Sequence, residues 1–323
     1  MSTANAHTMS RRKFCLCCAS AAGLAATGCW LTPSQAFAEA QNLVDAFRDE
    51  AAKAKIQVHR LRGNIAVLEG SGGNIAVLTG RDGKVFIDAG ITGSRPRLLE
   101  AANGLSHEPI SHLINTHWHF DHTDGNQWLA EEGAAIIAHV NTHKYLQSAH
   151  RVDDWDFLFP SSPLAAIPTQ VFTSELALHL NSQAIQLRYY KPAHTDSDIS
   201  VHFTNADVFH CGDTFWNGIY PFIDYSTGGS INGLIDAATL NVSSVSDKTI
   251  VIPGHANPVG NRQQLITFRD MLSGIRDNVS KLKQQGRTVE EVVAAKPTAA
   301  FDPVWGNGPV GPDFFARLVY HGV

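Results

Sequence analysis

Between Asn115 and Gly125 the chain reads Asn115-Thr116-His117-Trp118-His119-Phe120-Asp121-His122-Thr123-Asp124-Gly125, which sets three histidines and an aspartate within six positions. Imidazole and carboxylate are the groups that zinc and similar first-row ions take as ligands. The run before it, Ile110-Ser111-His112-Leu113-Ile114, is mostly apolar and reads as a strand feeding a tight turn. Alternate side chains of an extended segment share a face, so His117 and His119 can reach one ion together. The chain must then bend. Asp121 and His122 fall beyond the bend, where they can serve a second ion. The competing reading is a solvated His-rich loop that binds nothing, and four ligand-type residues at strand-to-turn spacing argue against it.

The pattern His-x-His-x-Asp-His resembles the signature of the metallo-β-lactamase superfamily, and further segments resemble its other motifs in order. Lys84-Val85-Phe86-Ile87-Asp88-Ala89-Gly90 is similar to the first motif, whose Asp stands behind the metals. Ala193-His194-Thr195-Asp196 is similar to the third, with Ser197 where Gly is common. Cys211-Gly212-Asp213-Thr214 resembles the motif whose Asp bridges both metals. Ile250-Val251-Ile252-Pro253-Gly254-His255 resembles the one that closes the second metal. The resemblance covers about residues 58–260. It implies an α/β fold, an αββα sandwich in which two mixed β-sheets flanked by helices carry metals at one edge.

The same resemblance implies a ligand set: His117, His119 and His194 for the first ion, Asp121, His122 and His255 for the second, and Asp213 bridging. The ions would be two Zn2+, with Fe or Mn as alternatives. Two such ions share a water and lower its pKa from about 15.7 toward 7, which makes hydroxide without a Ser or Cys nucleophile. Asp121 is expected to orient that hydroxide and carry a proton to the leaving group. The implied reaction is hydrolysis of an ester, lactone, amide, thioester or phosphoester of a small-molecule substrate. Two other readings remain open: an iron-dependent persulfide dioxygenase-like oxidoreductase and a non-catalytic periplasmic binding protein. Asp213 is assigned the metal role over Cys211, whose expected part is that of a small apolar filler. Tyr220 is the candidate acid or oxyanion donor near Asp213. His139, His143, His150, His179, His202 and His210 are expected at the surface or hydrogen-bonded in the core.

These side chains need elements to hold them. Apolar groups at helical spacing predict a short amphipathic helix in residues 39–55. The identical hexapeptides Gly63-Asn64-Ile65-Ala66-Val67-Leu68 and Gly73-Asn74-Ile75-Ala76-Val77-Leu78, joined by Glu69-Gly70-Ser71-Gly72, predict a β-hairpin. Strands are expected at Lys84–Asp88, Ile110–Ile114, Ala134–His139, Glu175–Leu180 and Ile185–Tyr190. Helices are expected near Arg97–Asn103, Asp124–Glu132, Gln263–Lys283, Val289–Ala295 and Pro312–Tyr320, with another capped by Ser230. Strands alternating with helices imply layers.

At the amino terminus Ser10-Arg11-Arg12-Lys13-Phe14 looks like a twin-arginine export signal. A mildly apolar segment from Cys15 to Trp30 and an Ala36-Phe37-Ala38 peptidase site follow it. That segment is too short and too rich in Ala and Gly to make a stable membrane span. The expected division is a signal peptide at 1–38 and one hydrolase domain at 39–323. Delivery is expected by the twin-arginine machinery to the periplasm, with a lipid anchor at Cys29 as the alternative. Losing Arg11, Arg12 and Lys13 moves the formal charge from -5 to -8, which argues against nucleic acid as a partner. It also leaves Cys211 as the one cysteine of the mature chain, so no intramolecular disulfide forms. Oligomeric state is not legible.

Residues 147–170 break the rhythm with aromatics and prolines, and long irregular loops in compact domains usually serve a function. The expectation is a lid over the metals, lined by Trp155, Phe157 and Phe159; aromatics that only pack the loop are the competing reading. Deleting residues 153–160 with metal content retained should cut turnover, and steady-state kinetics left unchanged would defeat the lid.

Overall fold

The computed structural model describes residues 44–323. The twin-arginine motif, Cys29, the Ala36-Phe37-Ala38 site and the first residues of the expected amino-terminal helix lie outside the described residues. Residues 44–51 form the remainder of that helix, α1.

One sheet has seven strands: β1 (Gln57–Arg60), β2 (Ile65–Ser71), β3 (Gly73–Leu78), β4 (Lys84–Ile87), β5 (Ile110–Ile114), β6 (Ala135–His139) and β9 (Gln170–Phe172), side by side in that order. β1 to β4 are antiparallel neighbours, whereas β4, β5, β6 and β9 run parallel. The parallel part reads as continuous apolar sequence because both of its faces are covered. The second sheet has five strands, β10 (Glu175–Leu180), β11 (Gln183–Tyr189), β12 (Ile199–Phe203), β13 (Val208–His210) and β15 (Ile250–Ile252), with only β13 and β15 parallel. Both sheets are therefore mixed.

Strand alternation sorts the core into three layers. Ile65, Val67, Val85, Ile87 and Ile114 from the first sheet meet Ile185, Leu187, Val201 and Val208 from the second. Phe86, Leu113 and Ile136 face outward onto α2 (Arg95–Leu105) and α4 (Asn126–Glu131), through Leu98, Ala102, Trp128 and Leu129. Phe209 and Val251, on the outer face of the second sheet, pack in one cluster with α6 (Ile231–Ser244), α7 (Arg262–Gln284), α8 (Val289–Ala294) and α10 (Pro312–His321). The result is the layered αββα sandwich expected.

The two identical hexapeptides take opposite roles. Their pairing sets Ile65 opposite Leu78 and Leu68 opposite Ile75, so the first copy buries Ile65 and Val67 between the sheets while the second turns Ile75 and Val77 to the helices. The hairpin turn is also tighter than expected. β2 continues to Ser71 through a bulge, and the reversal falls at Gly72 (φ 87°).

Two other expectations are corrected. The helix expected at Asp124–Glu132 is the shorter α4, preceded by a separate turn of helix, α3 (Phe120–Thr123), and between them Gly125 packs against the Ala89 carbonyl, where a Cβ would stand 2.3 Å away. Residues 147–170 are ordered rather than irregular. After α5 (Val140–Gln147) they form an antiparallel hairpin of β7 (His150–Val152) and β8 (Phe157–Phe159). Val152 and Phe159 are buried, so excising 153–160 removes core as well as any lid.

Ser230 caps α6 as expected, accepting from the Gly233 amide. Another staple was not anticipated. Lys84, almost fully buried, donates its Nζ to Asn103 Oδ1 (3.2 Å), Ser106 O (3.0 Å) and Glu108 O (2.5 Å), tying the end of α2 to β4. Burial lowers its pKa. Lys84→Met should strand those acceptors and lower stability by about 1–3 kcal/mol in urea denaturation. An unchanged midpoint would show the staple to be idle.

Candidate metal centre

β5 ends at Ile114 beside the end of β4, and the residue that follows β4 organises the turn. Asp88 sits in the left-handed region (φ 68°), a conformation that costs an ordinary residue roughly 1–2 kcal/mol. That geometry lets its carboxylate accept from the Thr116 amide (2.7 Å), Thr116 Oγ1 (2.7 Å) and His122 Nδ1 (2.7 Å). The first-motif Asp thus fixes both ends of the loop, and Gly73 packs against the His122 ring so closely that a Cβ would lie 2.2 Å from it.

All seven expected residues converge. Donor atoms of His117, His119, His194 and Asp213 lie within 4.8 Å of one another, as do those of Asp121, His122 and His255. Asp213 spans the two groups. Its Oδ2 stands 3.4 Å from His194 Nε2 and 3.2 Å from His255 Nε2, while its Oδ1 stands 3.2 Å from His122 Nε2. Asp121 Oδ2 lies 3.1 Å from His255 Nε2.

The outer nitrogens of the rings decide what the inner ones offer. His119 Nε2 faces Asp224 Oδ2 at 3.0 Å, and His194 Nδ1 faces the Phe222 carbonyl at 2.8 Å, so each donates outward. His119 Nδ1 and His194 Nε2 then face each other at 2.9 Å as two lone pairs. His122 also donates outward to Asp88, and its Nε2 points inward at the Asp213 carboxylate, 3.2 Å from Oδ1. His117 Nε2 and Asp213 Oδ1 are buried without any hydrogen-bond partner. Lone pairs packed on lone pairs, beside two orphaned acceptors, fit a site for cations.

Titration follows from the same crowding. Burial pushes His194 down to about 4 and His117 well below the usual imidazole range. At His255 burial also opposes charge, but Asp213 and Asp121 outweigh it and raise the imidazole to about 9. Burial likewise opposes ionisation of Asp121, yet His122 and His255 hold it at about 2. A cation entering the second group must displace the proton that His255 holds at neutral pH.

Some expectations fail here, and some residues were missed. Tyr220 is not near-site machinery. Its hydroxyl donates to Asp302 Oδ1 (2.9 Å) and its ring stacks on Phe315 at 4.7 Å, because the segment after Asp213 turns it into the helical layer. Cys211 is buried outside both groups, since β13 stops at His210 and a tight turn at Gly212–Thr214 swings Asp213 alone inward. Asp224 was missed, because no spacing marked its carboxylate. Asp198 was missed as well. Its carboxyl accepts from Thr195 N and Oγ1 (both 2.8 Å), shaping the loop that carries His194, and burial raises it to about 8.

Residues 68–256 match the metallo-β-lactamase superfamily, and the chain belongs to that family. It is 30% identical over 160 residues to the hydroxyacylglutathione hydrolase of Rhodospirillum rubrum, a match covering 49% of this chain and 52% of the relative. This chain therefore spans about half the length of that curated relative. Among solved structures, the fold is similar to the stereoselective inverting sec-alkylsulfatase Pisa1 from Pseudomonas sp. (TM-score 0.61, 15% identity, 85% of this chain and 51% of that one). It is also similar to the metallo-β-lactamase from Pontibacter korlensis (TM-score 0.55, 15% identity, 68% and 99%).

Asp224→Asn keeps the shape but weakens the acceptor that sets the His119 tautomer. Metal affinity should fall about 10–100-fold by competition with a chromophoric chelator; affinity equal to the parent's would remove Asp224 from the site.

Proposed function

We propose that this chain is a metal-dependent hydrolase with a dinuclear centre, zinc being the ion that its histidine-rich set suits best. The observation that carries the proposal is the pair of buried donor groups joined by Asp213, with His117 Nε2 and Asp213 Oδ1 unpartnered. In this reading His117, His119 and His194 hold one ion, Asp121, His122 and His255 the other, and Asp213 both. Two such ions, when bound, polarise a carbonyl or phosphoryl oxygen and bring the pKa of a water toward 7.

The chain's own residues supply the rest. Asp224, the Phe222 carbonyl and Asp88 fix the ring orientations, so the pocket is arranged before substrate arrives. Asp121 keeps 14% of its side chain exposed, against 2% for Asp213, and it stays a carboxylate at neutral pH. It can therefore accept the proton of an attacking water and return it to a leaving group. The relative named a hydroxyacylglutathione hydrolase supports ester or thioester cleavage as the reaction class. The Ser10-Arg11-Arg12-Lys13-Phe14 motif supports export of the folded, loaded protein to the periplasm.

The test is metal analysis of the purified chain, then hydrolysis of lactones, β-lactams, thioesters and phosphodiesters before and after chelation. Activity should require the metal, and His119→Ala should reduce it to background. Iron content with oxygen uptake on glutathione persulfide, and no hydrolysis, would replace this reading with the dioxygenase-like one.

A further inference from the structure

The residues around the centre differ in character from the centre itself. Trp155, at the tip of the β7–β8 hairpin, is half-buried with its ring 5.4 Å from that of His119. It stacks on Phe222 at 4.8 Å, and Phe222 stacks on Phe314 of α10 at 6.3 Å. Phe222 is covered, whereas Trp155 and Phe314 each keep part of their surface open. Behind Trp155, Phe120 (5.9 Å) and Phe159 (6.1 Å) hold the indole in place. Its turn is pinned by the Asp153 amide donating to Ser226 Oγ at 2.9 Å. An aromatic wall therefore rises directly from the first donor group.

The charges of this face point the same way. Among the described residues, no Lys or Arg pairs or hydrogen-bonds with any of the seven donors or with Asp224. Arg48 and Arg151, on this face, are already engaged. Arg48 pairs with Asp45 (3.7 Å) and Asp124 (3.9 Å), and Arg151 with Asp153 and Asp156. Asp153 and Asp154, both exposed, precede Trp155 directly. A carboxylate or sulfate laid against this wall would meet the acids beside Trp155, with Arg48 and Arg151 already paired.

We infer that the substrate is a neutral ester, lactone, thioester or amide that lays an apolar group on Trp155, and that anionic substrates are disfavoured. The inference rests on the hydrolase reading above and narrows it. It sets the expected substrate apart from those in the names of two of the three relatives, since a glutathione conjugate carries two carboxylates and an alkyl sulfate is an anion. It also sets phosphodiesters aside. Trp155 is then a specificity residue that recognises the group flanking the scissile bond.

The experiment uses a matched pair on the zinc-loaded protein, 4-nitrophenyl butyrate and mono-4-nitrophenyl succinate, which differ by a terminal methyl against a carboxylate. The butyrate should be favoured in kcat/KM by roughly tenfold or more. Trp155→Ala should remove most of that preference through KM rather than kcat, and Trp155→Phe should keep it. Equal use of the two esters, preference for the succinate, or an unchanged KM in Trp155→Ala would overturn the inference. Should Trp155→Ala fail to fold by circular dichroism, Phe314→Ala on the same wall replaces it, with the same selective loss expected. If neither ester is cleaved, the hydrolase reading is decided by the metal-dependent panel above, and calorimetric binding of the corresponding butyranilide and succinanilic acid decides the wall. Tighter, Trp155-dependent binding of the neutral anilide supports the wall, and any other order refutes it.

Discussion

Seven buried or nearly buried side chains bring their ligand atoms together, and the architecture of this protein is organised to make them do so. Without a compensating positive charge such an arrangement is costly, because a buried acceptor that loses water and gains no donor forfeits about 1–3 kcal/mol. In the bare chain the compensation is partial. His122 and His255 are held well above and at about 9 respectively, so Asp213 and Asp121 are answered by protons. His117 and His194 are pushed the other way, and the first group has no comparable remedy. Cations would answer both groups at once, and the free energy of binding them would also hold the two sheets in register.

That convergence follows from topology more than from any one motif. Asp88 follows β4, the His117–His122 loop follows β5, Asp213 follows β13 and His255 follows β15. His194 lies in the connection after β11. Each group leaves the carboxyl end of its strand, and parallel neighbours such as β4 with β5 and β13 with β15 deliver theirs to a common edge. Close backbone approach does the rest. At Gly254 a Cβ would stand 2.0 Å from Asp213 Oδ1, so the residue before His255 has to be bare for the carboxylate to lie between the groups. Asn74 ties the two sheets together here, donating from Nδ2 to the Pro253 carbonyl (3.0 Å) and from its amide to the Gly254 carbonyl (2.7 Å).

Most of this was legible in the sequence because metal ligation demands particular side chains at particular offsets from strand ends. His117, His119, Asp121 and His122 declare themselves by spacing, whereas Asp88, His194, Asp213 and His255 are reached through the resemblance of their motifs. What stayed hidden acts through the backbone or through contacts far along the chain. The Phe222 carbonyl that orients His194 has no side-chain signature, and Asp224 reaches His119 across 105 positions. Tyr220 misled because its place a few residues after Asp213 predicts proximity, whereas direction is set by the ring's packing on Phe315. The 147–170 segment misled for a related reason. Prolines and aromatics there suggest a structureless loop, yet Val152 and Phe159 give the hairpin a core of its own contacts.

The two donor groups are supported from different parts of the molecule. His122, in the second, is braced by Asp88 at the end of β4, within the first sheet. The first is braced by Asp224 and the Phe222 carbonyl, in the segment that leads into α6 and packs against the carboxy-terminal helices. Asp213 alone belongs to both. A displacement of α10 or of the β7–β8 hairpin would therefore be felt first at His119 and His194, through Phe222 and Trp155, while Asp121 and His122 kept their footing on the sheet. The group that meets the aromatic wall is thus the one tied to the helical layer, and Asp121 and His122 of the other are tied to the first sheet. In the reading proposed above, substrate contact and proton handling are thereby assigned to different parts of the scaffold.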